Sequence, residues 1–354
     1  MRDDQHAPSC HPGSTSVATQ LLQPDPRRHT PKTSRRECWR GQKMHKSDTS
    51  ETMKAIRFSR YGDPDVLELV AVPLPHPGAG QIRLRARAAA VNAADLKQES
   101  GLFQDRAPAT FPASVGLDSS GTVDAIGEGV VGVALGDTVF GFAVDGAFAE
   151  QTILSHWMHK PDGMTFDQAA ALPVSSETAY RLLVELEPRP GETLLITGAA
   201  GTVGLMLSQL ALARQIRVVG TARQDDHSEL RRLGVQPVDY GPGWVERLTQ
   251  QQTSPIRYGV DTSGHGTVPD LVAFAGTPDR VITITDSNAH RHGVRFSTGP
   301  GTEPEVAWAE AAGAFQRGEL KVSIRSVWPL SASMDAQISF RDGTGIGKTI
   351  VSIP

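Results

Sequence analysis

The sequence predicts an α/β protein in which a doubly wound domain is inserted into a mostly-β one. Three observations lead there. Short alternating segments separated by Gly and Pro occupy the stretch after Met53. Near Thr165 the pattern switches to helices and apolar strands, including one strand, glycine turn, helix and strand in direct succession. After the helix-like segment EVAWAEAAGAFQRGEL the chain returns to strand-like segments, so the α/β part reads as an insertion.

The chain has 354 residues, 39% hydrophobic and 21% charged, a size at which one core usually divides into two. Residues 1–52 are rich in Pro, Ser, Thr, Gln, Arg and His and show no apolar periodicity, which reads as a disordered tail. The tail carries nine Lys/Arg against six Asp/Glu, so a tether for a partner is one reading. A solvated extension, or an upstream start codon in place of Met53, is the other.

The first β-rich part has the strand candidates MKAIRFSRYG, VLELVAVPLP and GQIRLRARAAAV, then GTVDAIGEGV, GDTVFGF and AFAEQTIL. Next, FDQAAALPVSSETAYRLLVEL reads as one helix. In ETLLITGAAGTVGLMLSQLALARQIRVVGTAR a strand, a turn, an amphipathic helix and a second strand make one βαβ unit. Strands at RYGVDTSG and RVITITDS enclose a helix at VPDLVAFAG, and a further helix is expected at EVAWAEAAGAFQRGEL. KVSIRSVWPL and GKTIVSIP then rejoin the first domain.

A net charge of −4 provides no field that would hold a nucleic acid, and no run of about 18 apolar residues is present to cross a membrane. The opening residues lack the apolar stretch of a secretory signal, so a soluble, cytoplasmic protein is expected. Both cysteines, Cys10 and Cys38, precede Met53, leaving the rest without a thiol for a disulfide, a redox pair or a zinc site.

The turn Gly198-Ala199-Ala200-Gly201-Thr202-Val203-Gly204 lies between a strand and a helix, the context that distinguishes a phosphate cradle from chance glycines. Gly201 would admit a pyrophosphate, Gly204 would let helix and strand pack closely, and the helix amino terminus offers unpaired N–H groups. Ala199 stands where the usual fingerprint has its first glycine. A structural βα turn in another doubly wound protein would share this pattern. The second strand ends in Thr221-Ala222-Arg223. An acidic residue there would bind the bare ribose of NAD, whereas a guanidinium pairs with the 2′-phosphate, so NADPH is the expected cofactor. A solvated strand-end arginine, beside Asp225 and Asp226, is the alternative reading of Arg223.

From Met53 to Pro354 the chain resembles the medium-chain dehydrogenase/reductase family, in its zinc-free NADPH:quinone reductase branch. The resemblance rests on ordered segments: VNAADLKQESG (91–101), VGLDSSGTVDAIGEGV (115–130), GDTVFGF (136–142), ALPVSSETAYRLL (171–183), GAAGTVG (198–204), VDY (238–240) and GKTIVSI (347–353). It implies a GroES-like mostly-β catalytic domain (53–172 and 316–354) with an inserted Rossmann NADP-binding domain (173–315). The zinc-dependent branch needs an early cysteine and a Gly-His-Glu; here Gly116-Leu117-Asp118 stands in that place. No metal is therefore expected, and His156, His159, His290 and His292 lack a ligand constellation.

The same resemblance implies that Asn92 and Asp95 line the cleft beside the nicotinamide and that Thr178 touches the cofactor. Tyr240 would flank the adenosine phosphate, and Ile284 and Thr285 would face the nicotinamide. Lys348 matches the family's Gly-Lys. Asn92 as a turn former, Tyr240 as a packed aromatic and Lys348 as a surface lysine are the bland readings. The segment Gly343 to Thr349 suggests a P-loop, but Asp342 replaces its first glycine and no helix is expected to follow. The chain departs from the family at Glu99, where an arginine is frequent, and at Lys97 and Phe103, where bacterial relatives carry tyrosines.

Quinones and conjugated carbonyls are electrophilic without a Lewis acid, so they are the expected substrates of a metal-free hydride donor site. Lys97 is the expected proton donor, with Tyr180 behind it and solvent as a third source. An enoyl or alkenal reductase of secondary metabolism shares every motif, and a non-catalytic NADPH-binding redox sensor or lens-type structural protein remains open. A homodimer is implied by resemblance alone.

Overall fold

The computed structural model describes residues 51–299 and 303–354. Residues 1–50 of the expected tail lie outside them. The β-rich part opens with β1 (Thr52–Phe58), β2 (Leu67–Pro73) and β3 (Ile82–Ala90), then helix α1 (Ala93–Glu99) and strands β4 (Ala113–Ser114), β5 (Asp118–Ile126), β6 (Thr138–Ala143) and β7 (Gln151–His159). Strand β3 shows why these residues form a sheet: Ile82, Leu84 and Ala86 are fully buried, while Arg83, Arg85 and Arg87 alternate to the other face. Strand β7 pairs with both β6 and β3, which closes β3, β5, β6 and β7 into a small barrel.

Two helices, α2 (Phe166–Ala170) and α3 (Pro173–Leu186), replace the single helix expected over 166–186. Pro173 has no N–H to continue the first helix, and it sits at the first position of the second, where that donor is not needed. The α/β part follows as β8 (Thr193–Thr197), α4 (Thr202–Ala213), β9 (Arg217–Ala222), α5 (His227–Arg232), β10 (Gln236–Asp239), α6 (Trp244–Gln251), β11 (Tyr258–Asp261), α7 (Val268–Ala275), β12 (Val281–Thr283), β13 (Arg295–Phe296) and α8 (Pro304–Gln316). Its six strands are all parallel, in the order β10-β9-β8-β11-β12-β13. The direction of winding reverses between β8 and β11, and the crevice at their carboxyl ends is where such sheets bind ligands.

Helix α4 is not the amphipathic helix expected. From Gly204 to Ala211 every residue is buried, because α3 and α8 cover the face turned away from the sheet. Its one buried amide is satisfied: Gln209 Oε1 accepts from Lys321 N (2.8 Å) and Nε2 donates to the carbonyls of Leu205 and Lys321 (3.3 Å each).

The chain ends with β14 (Ile324–Pro329), α9 (Ser333–Asp342) and β15 (Lys348–Ser352). Strand β15 pairs antiparallel with β3, so the carboxyl terminus rejoins the first sheet. This is a GroES-like β domain with an inserted Rossmann-type sheet. Trp308 of α8 locks the two parts together. It is fully buried against Phe140 and Phe142 of β6, with centroids 5.8 and 5.0 Å away, and its Nε1 donates to Pro173 O at 3.1 Å.

Candidate active site

The site starts at the carboxyl end of β8. Gly198 leaves the strand with φ of 83°, a left-handed conformation that favours glycine, and its N–H donates to Thr221 Oγ1 at 3.1 Å. A Cβ at Gly204 would lie 2.2 Å from Gly198 O, so only glycine lets the first turn of α4 pack on the strand end. The amides of that first turn have no acceptor within the helix. A cradle that side chains would fill, facing a helix amino terminus, fits a dinucleotide pyrophosphate.

Asp261, at the end of β11, holds the neighbouring loops. Its Oδ1 accepts from Thr197 Oγ1 (2.9 Å), Ser263 N (3.0 Å) and Gly264 N (3.2 Å), while Oδ2 accepts from Thr283 Oγ1 (2.8 Å) and Thr285 Oγ1 (2.6 Å). Burial by itself would raise this carboxyl; the hydrogen bonds from Thr285, Thr283 and Ser263 outweigh it and hold the group below the usual carboxylate range. Three strand ends are thereby fixed at the switch point. Sequence reasoning did not single out Asp261, although an Asp-Thr-Ser-Gly cluster directly after an apolar strand marked the place.

A cavity of about 770 Å³ opens over this frame. Its wall takes in Gly198, Ala200, Gly201, Thr202, Val203, Gly204, Arg223, Tyr240, Ile284 and Thr285 from the parallel sheet, and Lys97 with Ala93 from α1. Arg223 Nε lies 3.7 Å from Asp226 Oδ2. Tyr240 is 49% exposed in the wall and leans on His265, which disposes of the packed-aromatic reading. The ammonium of Lys97 has no hydrogen-bond or ion-pair partner among the described residues. Arg325, Phe340, Gly343, Gly345 and Gly347 of the returning segment also reach the cavity; no local motif had pointed to Arg325.

Asn92, Asp95, Thr178 and Lys348 are buried and lie outside that wall. Lys348 is 3% exposed, so it is not a surface lysine. Its Nζ donates to Asn92 Oδ1 at 2.5 Å and lies 3.4 Å from Asp118 Oδ2. Asn92 Nδ2 donates to the same Asp118 oxygen at 3.0 Å, and Asp118 Oδ1 accepts from Val174 N at 3.0 Å. This polar layer joins β15, β5, α1 and α3 beneath the cleft. Burial pushes the Asp118 carboxyl up, and Lys348, Asn92 and Val174 pull against it. Asn92 is indeed a turn former: it caps α1, with its N–H donating to Asp95 Oδ2 at 2.7 Å. Burial raises the Asp95 carboxyl well above its ordinary range despite that bond. Thr178 donates to Glu177 Oε2 at 3.4 Å.

Tyr180 requires a correction. Its ring stacks under the guanidinium of Arg214, 5.3 Å from the centroid, at the carboxyl-terminal end of α4. The cleft lies at the opposite end of that helix, so Tyr180 cannot deliver a proton there. One departure from the family pattern is also located. Glu99 is buried, accepts from Gln337 Nε2 at 2.7 Å, and is pushed up to about 7 by burial. Of the histidines, His156 pairs with Glu305 at 2.7 Å and His159 bonds Gly132 O at 3.0 Å, both away from the cleft.

Residues 78–162 match the family model described as the alcohol dehydrogenase GroES-like domain. The chain is 31% identical to a quinone oxidoreductase of Pseudomonas aeruginosa over 326 residues, covering 84% of this chain and 99% of the relative. Among solved structures it resembles the quinone oxidoreductase of Coxiella burnetii, with a TM-score of 0.75, 26% identity, and coverage of 86% of this chain and 100% of the other. A mycobacterial protein solved in complex with NADPH gives a TM-score of 0.74 at 25% identity, covering 85% of this chain and 100% of that one.

Proposed function

Because the chain belongs to the quinone oxidoreductase branch of the medium-chain dehydrogenase/reductase family, we propose that it is an NADPH-dependent reductase that passes a hydride to a quinone or an α,β-unsaturated carbonyl without zinc. The observation that carries this reading is a single cavity lined by the Gly198–Gly204 turn, by Arg223 and Tyr240, and by Lys97. When bound, the nicotinamide supplies the hydride; the protein supplies orientation and charge.

The turn and the amides of α4 would hold the pyrophosphate, Arg223 the 2′-phosphate, and Tyr240 the adenosine side. Ile284 and Thr285, fixed by Asp261, would form the nicotinamide wall. Lys97 would hydrogen-bond the oxygen on which negative charge develops, and solvent or Lys97 itself would return the proton. The buried layer of Asn92, Asp118 and Lys348 would hold α1 at the height that aims Lys97 into the cleft. Residues 53–172 and 316–354 would thus carry the substrate side and 173–315 the cofactor side.

Zinc independence is supported by the occupation of Asp118. Both of its oxygens already accept hydrogen bonds, and one faces the Lys348 ammonium, which would repel a second cation. Among the described residues no group of three or more His, Cys, Asp or Glu could hold a metal ion. No helix among them is long and apolar enough to cross a membrane. The edge strand β13 would be the place for two copies to pair.

The test is NADPH oxidation, followed by its absorbance, against a panel of quinones, enones and enoyl thioesters in the presence of a chelator. Turnover on quinones or enones is expected. Turnover on enoyl thioesters alone would assign an enoyl reductase, and tight binding with no turnover would assign a sensor.

A further inference from the structure

We propose that Arg325 is a second cationic anchor for the 2′-phosphate of the nucleotide, presented from β14 opposite Arg223; the inference rests on the NADPH reading above. Both guanidinium groups line the same cavity, one at the end of β9 and one on the returning strand.

The side chain is held in place but not used up. Its Nη2 donates to Ser339 O at 3.0 Å and to Thr349 Oγ1 at 2.8 Å, which fixes the plane of the group. Nε and Nη1 make no hydrogen bond, and no carboxylate pairs with Arg325, among the described residues. With Nη2 committed, the group offers an anion its charge and single hydrogen bonds from Nε or Nη1.

The glycine-rich segment that resembles a P-loop has its explanation here. A Cβ at Gly343 would lie 2.1 Å from Ser339 O and 3.1 Å from Arg325 Cζ, so a side chain there would displace the guanidinium. A Cβ at Gly347 would lie 2.9 Å from Arg325 N, so glycine lets the segment lie against β14. The segment runs into strand β15, not into a helix, and it serves to make room for Arg325 at the cavity.

Charge makes a second cation necessary. Asp226, in the same wall, stands 3.7 Å from Arg223 and offsets its charge before any ligand arrives. A phosphate dianion facing Arg223 and Asp226 alone would meet almost no net positive charge. Arg325 restores it. Burial, and after it the charge of Arg223, lower the pKa of Arg325, so an anion bound beside both would relieve part of that shift.

The experiment is titration calorimetry of NADPH, NADH, 2′,5′-ADP and AMP with the wild-type chain and with Arg325→Met. The variant should bind NADPH and 2′,5′-ADP about tenfold or more weakly, and NADH and AMP as the wild type does. Unchanged affinities, or an equal loss for all four ligands, would overturn the proposal, the second outcome marking a structural role. Should the methionine variant fail to fold, Arg325→Gln keeps an amide donor for Ser339 O but not the charge, and a loss confined to the two 2′-phosphorylated ligands is again required. A wild type that itself shows no preference for NADPH defeats the cofactor reading; a preference that survives loss of Arg325 defeats only this inference.

Discussion

Ala199 and Gly220 face each other with no room for a second methyl group: a Cβ added at Gly220 would lie 2.4 Å from the Cβ of Ala199. The phosphate turn departs from the usual fingerprint at Ala199, and the neighbouring strand β9 accommodates that departure by carrying a glycine in its buried interior. Gly220 is thus the counterpart of Ala199 and not a weak point in the strand.

Gly220→Ala should therefore destabilise the protein by about 1–3 kcal/mol, the usual range for overpacking, and weaken NADPH binding by shifting the turn. Adding Ala199→Gly to it should restore most of both. Thermal denaturation and calorimetry of the two single variants and the double one measure the coupling. Additive effects would show that the two positions do not share one space.

Lys348→Met should cost about 3–5 kcal/mol, because it leaves Asp118 charged and buried without its counter-ion. The loss should be smaller at acid pH, where protonation of Asp118 removes the lone charge. The double variant Asp118→Asn/Lys348→Met should recover most of the stability. Denaturant unfolding at two pH values checks the order, and a mild single variant would mean that the polar layer does not hold α1 in place.

Glu99 should make stability fall as pH rises. Its carboxyl ionises near 4.5 ordinarily and at about 7 when buried in the folded protein, so between those values the unfolded chain gives up its proton first. The full gap corresponds to roughly 3 kcal/mol lost by pH 8. Glu99→Gln should match the wild type near pH 4 and exceed it at pH 8. Asp95 is shifted in the same direction, in part by the charge of Glu99, so the difference between the two melting curves reports Glu99 together with its coupling to Asp95. Parallel curves would mean that Glu99 ionises normally.

Lys97→Met should lower kcat by about 10²-fold on quinones and enones, if its ammonium stabilises the developing oxyanion. Affinity for NADPH should change little. Full kcat on every accepted substrate would transfer the role to solvent.

The architecture was legible because its signals are local. The βαβ unit announces itself through β8, the glycine turn and α4 in direct sequence, and the alternation of β3 separates its two faces residue by residue. The break between α2 and α3 was also written in Pro173, though the apolar run on either side masked it. What was not legible depends on distant contacts. Tyr180 matched a family segment, yet only packing shows that it turns toward Arg214 and away from the cleft. Lys348 read as well on a surface as in a site, until Asn92 and Asp118 were brought beside it from other strands and turns. Arg325 sits on an ordinary strand, and its place in the cavity follows from how β14 rejoins the first sheet.

The central claim is that one strand-to-helix turn and the arginine at the end of the next strand grip a 2′-phosphorylated dinucleotide. Titration of the wild-type chain and of Arg223→Ala with NADPH and with NADH tests it most directly. The wild type should bind one NADPH per chain, roughly 10- to 150-fold more tightly than NADH, and the variant should lose most of that margin. Absence of heat with either nucleotide, or a preference that survives the loss of Arg223, would contradict it.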